Sequence, residues 1–176
     1  NSIYDIQKYC NTNSLKEVRA VFNQKKNVFI NDNRVFPVNV DDYNFRVSFQ
    51  KENIIGSSSS FANSIKSSWD ENKKIFRLLN RVSFEHPDYP IRIDLSVVKE
   101  NHSEKYEYKG HTQYKLKPEY TFQSAKVTDN TEKYEIELEV NNSQVGIGTE
   151  YNDTSKLAKI IRKCVIHVLS GLQGTS

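Results

Sequence analysis

The sequence has few of the cysteines that form the disulfides of small secreted proteins or build metal–thiolate centres. It contains two cysteines, no methionine, one tryptophan, six glycines and four prolines in 176 residues. Cys10 and Cys164 are far apart in the sequence and match no zinc-ligand spacing. Because there is neither a cysteine framework nor an apolar signal segment near residue 1, we expect a reducing, cytoplasmic environment.

Long apolar runs and common catalytic motifs are also missing. No stretch approaches the roughly 20 apolar residues that span a bilayer, so we expect no association with a membrane. The chain has no GxxxxGK[ST] and no GxSxG motif, which argues against P-loop and α/β-hydrolase chemistry. Its four histidines are scattered, which argues against a His/Cys transition-metal centre.

What the sequence does contain is enough for one folded core. At 20.5 kDa, with 36% hydrophobic residues, ten tyrosines and nine phenylalanines, the chain is expected to form a single domain over residues 1–176. The formal net charge of +3 is too small to identify a polyanionic partner. Any such site must follow from where the charges lie.

Alternation of apolar and polar side chains with a period of two residues dominates the chain and predicts a mainly β (α+β) fold. A Ser-rich linker at 56–72 is expected to hold a short helix near 61–69, and a turn is expected at 31–33. The predicted strands cover 15–22, 26–31, 34–39, 43–51, 74–84, 90–99, 105–109, 111–117, 119–127 and 132–141.

One long helix is predicted near the other end of the chain. Asp153 or Thr154 is a suitable N-cap, and apolar residues then recur at helical spacing from Leu157 onward. Gly171 is expected to stop this helix, and 171–176 is expected to begin a linker to a following domain.

Formal charges in the predicted strands fall in phase on one face. Glu135, Glu137 and Glu139 alternate with apolar residues, so the three carboxylates share a face and lie roughly 7 Å apart. Such a row repels itself unless cations lie nearby. Other predicted strands carry cations and polar groups opposite an apolar face, namely Arg46, Arg77, Arg81, Arg92, Asp94 and Ser96.

Two architectures accommodate these faces. In an ordinary sandwich the charged faces point to water. In a closed antiparallel β-barrel they point inward, and helices, including the C-terminal one, cover the apolar faces. A polar lumen of arginines and glutamates would bind a polyphosphate together with Mg²⁺ or Mn²⁺, because these hard cations prefer carboxylate and phosphate oxygens.

Three segments together resemble the triphosphate tunnel metalloenzymes. They are the run FRLLNRVSFEHPDYPIRIDLSVVK, the strand KYEIELEV and the helix ending VLSGLQGT, and the similarity covers most of residues 15–174. Within that family, the chain is most similar to the metal-dependent RNA 5′-triphosphatases that begin mRNA capping in fungi, protozoa and large DNA viruses. It resembles above all the first domain of a viral, mimivirus-type capping enzyme.

The resemblance implies roles for the acidic residues. Glu139 and Glu137 would be metal ligands together with Glu17, and one of Glu135 and Glu137 would position or activate the attacking water. All four glutamates would be catalytic. Leu15 stands where the family has the first glutamate of its first strand.

The resemblance also implies how the phosphates and the active-site arginines are held. Asp94 would orient Arg92 or Arg81 through a hydrogen bond, and Ser96 would support the same strand. The residues implied to bind phosphate are Arg19, Arg46, Arg77, Arg81 and Arg92.

The implied activity is hydrolysis of the γ-phosphate of 5′-triphosphate RNA, with Mg²⁺ or Mn²⁺, and of NTP as a second substrate. The resemblance further implies a guanylyltransferase domain in the same parent chain and a location in the cytoplasm of an infected host, in a viral factory, or in the virion.

Two other functions stay open at this point. The same fold would serve an inorganic tripolyphosphatase or nucleotide triphosphatase. Alternatively, a non-catalytic β-barrel would bind RNA or another polyanion, with tyrosines and phenylalanines as stacking platforms. The row of glutamates argues against this last function, because carboxylates repel phosphates unless a cation intervenes.

Overall fold

The computed structural model describes residues 3–16 and 18–173, and within them the chain is mainly β with four α-helices. The predicted mainly β fold with a C-terminal helix is confirmed. In chain order the elements are α1 (Ile3–Thr12), β1 (Phe22–Asn27), β2 (Phe29–Ile30), β3 (Asn33–Arg34), β4 (Val38–Val40), β5 (Phe45–Val47), β6 (Gln50–Ile55), α2 (Ser60–Ser67), β7 (Arg77–Glu85), β8 (Ile91–Glu100), β9 (Ser103–Tyr108), β10 (His111–Leu116), α3 (Phe122–Ala125), β11 (Lys133–Val140) and α4 (Thr154–Gln173).

The described residues divide into two compact units. The hairpin unit comprises residues 3–76 and 103–126, and the sheet unit comprises residues 77–102 and 127–173. In the hairpin unit, antiparallel pairs form between β1 and β6, β2 and β3, β4 and β5, and β9 and β10. The predicted turn at 31–33 is confirmed, since Asn31 and Asp32 join β2 to β3 with φ angles of 47° and 61°.

An aromatic cluster forms part of the core of the hairpin unit. The ring of Tyr9 on α1 lies 6.3 Å from Trp69 and 6.3 Å from Phe76, and Phe76 lies 5.9 Å from Phe122 on α3, all between ring centroids. The indole N–H of Trp69 donates to the Tyr9 hydroxyl at 3.1 Å. Helix α1, which sequence periodicity did not predict, is therefore held by a ring contact and a hydrogen bond.

The sheet unit is built on three antiparallel strands in the order β11–β8–β7. These strands match the predicted strands at 132–141, 90–99 and 74–84. Helix α4 buries part of one stripe, which includes Leu157, Ile160, Ile161, Cys164 and Val168. It therefore has the apolar face that the sequence predicted.

Helix α4 runs through Gly171 to Gln173, so the predicted stop at Gly171 is wrong. A glycine in a helix interior costs only about 1 kcal/mol, which the neighbouring turns tolerate. Residues 174–176 of the predicted linker lie outside the described residues.

The predicted strand at 15–22 is wrong over residues 18–21, which are irregular. Its partner explains the boundary: Phe22 pairs with Ile55, the last residue of β6, and Gly56 follows. Residues before Phe22 have no strand to pair with at that edge, and alternation alone does not make a strand.

The predicted strand at 119–127 is also wrong, because this segment forms α3 and a 3₁₀ turn. The Thr121 hydroxyl accepts a hydrogen bond from the Ser124 backbone N–H at 3.0 Å, and the Ser124 hydroxyl accepts one from Thr121 at 3.3 Å. This reciprocal capping box starts a helix where a strand was expected.

No sheet closes on itself among the described residues: the strands form one three-stranded sheet and four two-stranded pairs. The predicted strands at 34–39 and 43–51 are each interrupted, near Pro37 and at Ser48–Phe49. Within the described ranges, no helix combines the length and the apolar character needed to cross a lipid bilayer.

Candidate functional site

The three strands of the sheet unit place most of the predicted site residues on one surface, which we call the charged face. Directly paired residues point to the same side of an antiparallel sheet, and Arg81 pairs with Ser96, which in turn pairs with Glu135. The charged face defined by this register comprises Arg77, Leu79, Arg81, Ser83, Glu85, Arg92, Asp94, Ser96, Val98, Glu100, Lys133, Glu135, Glu137 and Glu139.

Each predicted glutamate of β11 forms an ion pair with one predicted arginine. Arg77 donates through Nη2 to both carboxylate oxygens of Glu135 at 2.7 Å, spanning the central strand. The other two pairs join Arg81 Nη2 to Glu137 Oε2 at 2.5 Å and Arg92 Nη2 to Glu139. The row of carboxylates that would repel itself is thus neutralised within the same face.

Asp94, in the middle of the central strand, holds two of these arginines. Its carboxylate accepts from Arg81 Nη1 at 3.0 Å and from Arg92 Nε and Nη2 at 3.1 and 3.2 Å. The residue is only 1% exposed. Burial alone would raise the pKa of Asp94, but hydrogen bonds from Ser83 and Arg92 and the charges of both arginines hold the pKa below its usual value.

All three nitrogens of the Arg81 guanidinium donate hydrogen bonds in this arrangement. Besides Asp94 and Glu137, it donates through Nε to the Ser96 hydroxyl at 3.0 Å. For Arg92, burial opposes the charge, but the hydrogen bond to Asp94 and the nearby Glu139 and Glu85 carboxylates raise its pKa further. Both arginines are therefore oriented by hydrogen bonds to charged acceptors.

Residues that the sequence analysis missed lie toward both ends of the face. Glu100, at the end of β8, lies 3.4 Å from Arg77 Nε and also pairs with Lys133. On β7, Ser83 shares the predicted face of Arg77 and Arg81 and pairs with Asp94, and Glu85 pairs with Arg92. Glu85, Glu100 and Lys133 are in phase with the predicted residues, so extending the same alternation to the strand ends would have found them.

The charged face carries more carboxylates than cations. Its cations are Arg77, Arg81, Arg92 and Lys133, and it has six carboxylates, so the face is negative by two formal charges. A phosphate chain would be repelled by this excess unless a cation accompanied it.

A small cavity of about 150 Å³ opens at one end of the charged face. It is lined by Glu85, Arg92, Glu139, Val140 and the two asparagines that follow β11. Within the described ranges, no three acidic, histidine or cysteine side chains come together as a preformed metal site. The donors present nevertheless suit Mg²⁺ or Mn²⁺, since such an ion commonly uses one or two carboxylates and takes its other ligands from phosphates and water.

The remaining predicted site residues lie elsewhere. Arg46 is on β5 of the hairpin unit, where its Nε donates to Asn39 Oδ1 at 2.8 Å. Arg19 is exposed in the irregular segment before β1. Glu17 lies outside the described residues.

Comparison with known proteins adds no identification. No protein-family model, no curated protein and no solved structure matches the chain.

Proposed function

We propose that the chain is a metal-dependent RNA 5′-triphosphatase domain whose charged face lines a phosphate tunnel closed by further strand pairing. One observation carries the proposal: along the central strand β8, the charged side is more protected than the apolar side. Asp94 and Ser96 on the charged face are 1% and 4% exposed, whereas Leu95 and Val97 on the apolar face are 42% and 36% exposed. A solvated sandwich face would have the opposite distribution.

The excess of negative charge supports metal dependence. A polyanion-binding barrel without a metal would need a positive surface, and the charged face is negative by two. With one divalent cation the face becomes neutral, which suits a metal–triphosphate complex better than a bare polyanion.

Glu137 and Glu139 are the residues we propose to hold the cation. Their side chains are exposed, whereas Asp94 is occupied by two arginines. When bound, a divalent cation supplies charge neutralisation and polarises the γ-phosphoryl group.

The arginines of the charged face would exchange partners when the substrate binds. Arg81 and Arg92 leave Glu137 and Glu139 and donate to phosphate oxygens, so each ion pair is replaced by another. Asp94 keeps both guanidinium groups in place during this exchange. Arg77 would donate to the triphosphate in the same way. Its partner Glu135, both of whose carboxylate oxygens accept from Arg77 Nη2, would then be free to accept a proton.

The proposed reaction is hydrolysis of one phosphoanhydride bond. The water oxygen forms a bond to the γ-phosphorus, and the bond from that phosphorus to the bridging oxygen breaks. Glu135 orients the water and accepts its proton before releasing it to solvent, and the arginines stabilise the charge on the transferring group. The products are inorganic phosphate and an RNA 5′-diphosphate end.

The test is phosphate release from γ-labelled triphosphate RNA with Mg²⁺ or Mn²⁺. We expect Glu137→Gln and Glu139→Gln to lower the rate by about 100-fold or more, the effect of removing one electrostatic stabiliser. Glu132→Gln is the matched control, because Glu132 precedes β11 and contacts only the Tyr134 hydroxyl in the described network, at 2.9 Å. Equal rates in all four proteins would refute the proposal.

One observation favours a second candidate, hydrolysis of inorganic tripolyphosphate or free nucleotides. The cavity beside Arg92 and Glu139 has no aromatic side chain in its lining to hold a base. Competition between triphosphate RNA and tripolyphosphate separates the two activities. Preference for tripolyphosphate, with no hydrolysis of RNA ends, would favour the second candidate.

A further inference from the structure

A second cleft, in the hairpin unit, has the opposite electrostatic character to the charged face. It has a volume of about 260 Å³ and lies where β1, β3, β5 and β6 approach one another. Arg34 and Arg46 are its charged lining residues, and among the described residues no carboxylate lines it. This volume is just below the range typical of small-molecule sites, so the cleft has room for part of a nucleotide.

The two arginines of this cleft are not neutralised. In the part of the chain that the structure describes, neither forms an ion pair with a carboxylate, whereas Arg77, Arg81 and Arg92 of the charged face all do. Arg46 donates through Nε alone, to Asn39 Oδ1, and Arg34 lies 5.0 Å above the Phe36 ring. Their remaining donors suit the paired oxygens of a phosphate group.

An exposed aromatic ring completes the cleft. Phe49, between β5 and β6, lines the cleft and is 60% exposed. An exposed ring beside two unpaired guanidinium groups is the combination with which proteins bind single strands: the ring stacks on a base, and the cations contact the backbone. Ser48 and Gln50, on either side of Phe49, add uncharged hydrogen-bonding groups to the lining.

We propose that this cleft binds single-stranded RNA, with Arg34 and Arg46 on phosphodiester groups and one base stacked on Phe49. The inference deepens the proposed function and rests on it for the choice of RNA as ligand. Binding in the cleft, however, needs neither a triphosphate end nor a metal. A ligand consisting of phosphate alone would leave Phe49 without a role.

The test is the fluorescence anisotropy of a labelled single-stranded RNA with a 5′-hydroxyl end, titrated with the whole protein in the presence of EDTA. We expect Arg34→Ala and Arg46→Ala each to weaken binding about tenfold and to reduce the slope of log K against log salt by about 0.7, the value for one phosphate contact on a single strand. Arg46→Lys should keep the slope, because the charge stays.

Lys25→Ala is the matched control. It removes one exposed cation from the same unit, where Lys25 pairs with Glu52 at 3.0 Å and does not line the cleft. We expect it to leave both affinity and slope unchanged. If the two arginine variants match Lys25→Ala in affinity and slope, the proposal is wrong.

Phe49→Leu tests the base contact separately. Loss of one stacked base should weaken binding roughly tenfold without changing the salt slope. Unchanged affinity in Phe49→Leu would overturn the proposal. So would a competition experiment in which inorganic phosphate displaces the labelled RNA as effectively as unlabelled RNA does, at equal concentrations of phosphate groups. Since hydrolysis is assayed with charged-face variants and binding with cleft variants, failure of one proposal is distinguishable from failure of the other.

Discussion

Along the central strand β8, the two faces of the sheet reverse the usual relation between polarity and burial. On the charged face, Asp94 and Ser96 are almost completely buried, while Leu95 and Val97 on the apolar face are exposed. Ion pairs make the burial of the charged face possible, because a buried carboxylate is tolerated only when cations and hydrogen bonds compensate it. The difference teaches that the ordered, well-packed contacts of this strand lie on its polar side.

Several large apolar side chains on the apolar face are exposed to solvent. Leu95 at its centre and Ile136 on β11 expose large parts of their side chains, as do Val82 and Phe84 on β7. Hydrophobic burial on this face therefore contributes less than the residue types suggest. Substitutions at the buried positions of the charged face should therefore affect stability more than substitutions on the apolar face.

The largest expected effect on stability is that of Asp94→Asn. The substitution keeps the shape but removes the charge that compensates Arg81 and Arg92. Breaking a buried pair from one side typically costs about 3–5 kcal/mol, and we expect about 3 kcal/mol here because both arginines are partly exposed. Urea unfolding measures this difference. A loss below about 1 kcal/mol would mean that the charged face is solvated and ordinary.

The stability difference between the wild type and Asp94→Asn should depend on pH in a defined direction. The pKa of Asp94 is lowered in the folded protein, so its charge stabilises the fold fully above the ordinary carboxyl pKa of about 4. That contribution is lost as the pH falls through the lower pKa of the folded state. The stability gap between the wild type and Asp94→Asn should thus be widest above about pH 5 and should narrow toward about pH 2.

Unfolding midpoints measured on both proteins across that range check the expectation. Using the difference between the two proteins removes the contributions of the carboxyl groups that they share. A gap that widened on acidification would show that the carboxyl of Asp94 is protonated more readily in the folded protein, contrary to the hydrogen bonds it accepts.

The sequence alone predicts this sheet because the relevant signal is local. In β7, β8 and β11, the alternation of side chains determines which residues share a face. The residue types then give the charges on that face, as with Arg81, Asp94 and Glu137. Pairing between these residues also needs the register, which the phase does not specify. Glu100 and Lys133 were missed because they lie at strand ends, although they alternate in phase with the predicted residues of the charged face.

Elsewhere the local signal fails for a physical reason. Residues 18–21 alternate but have no partner strand, and Thr121 starts a helix through its capping box. Closure into a barrel depends on which strands pair with the outer edges of β7 and β11, a non-local property that periodicity does not encode. Arg46 belongs to the hairpin unit for the same reason, since its strand pairs with β4.

The smallest expected effect gives the sharpest internal comparison, because Val82 and Ser83 are neighbours on opposite faces of β7. Val82→Thr should change the free energy of unfolding by less than about 0.5 kcal/mol, since the side chain is exposed and keeps its shape. Ser83→Val replaces the hydroxyl that faces its cross-strand partner Asp94 and helps to hold the pKa of that carboxyl low, and it should cost about 1 kcal/mol. An ordinary amphipathic strand would give the reverse order, with the apolar residue the more sensitive one. Urea unfolding of both variants decides between the two orders, and a larger loss in Val82→Thr would mean that the apolar face is buried in solution.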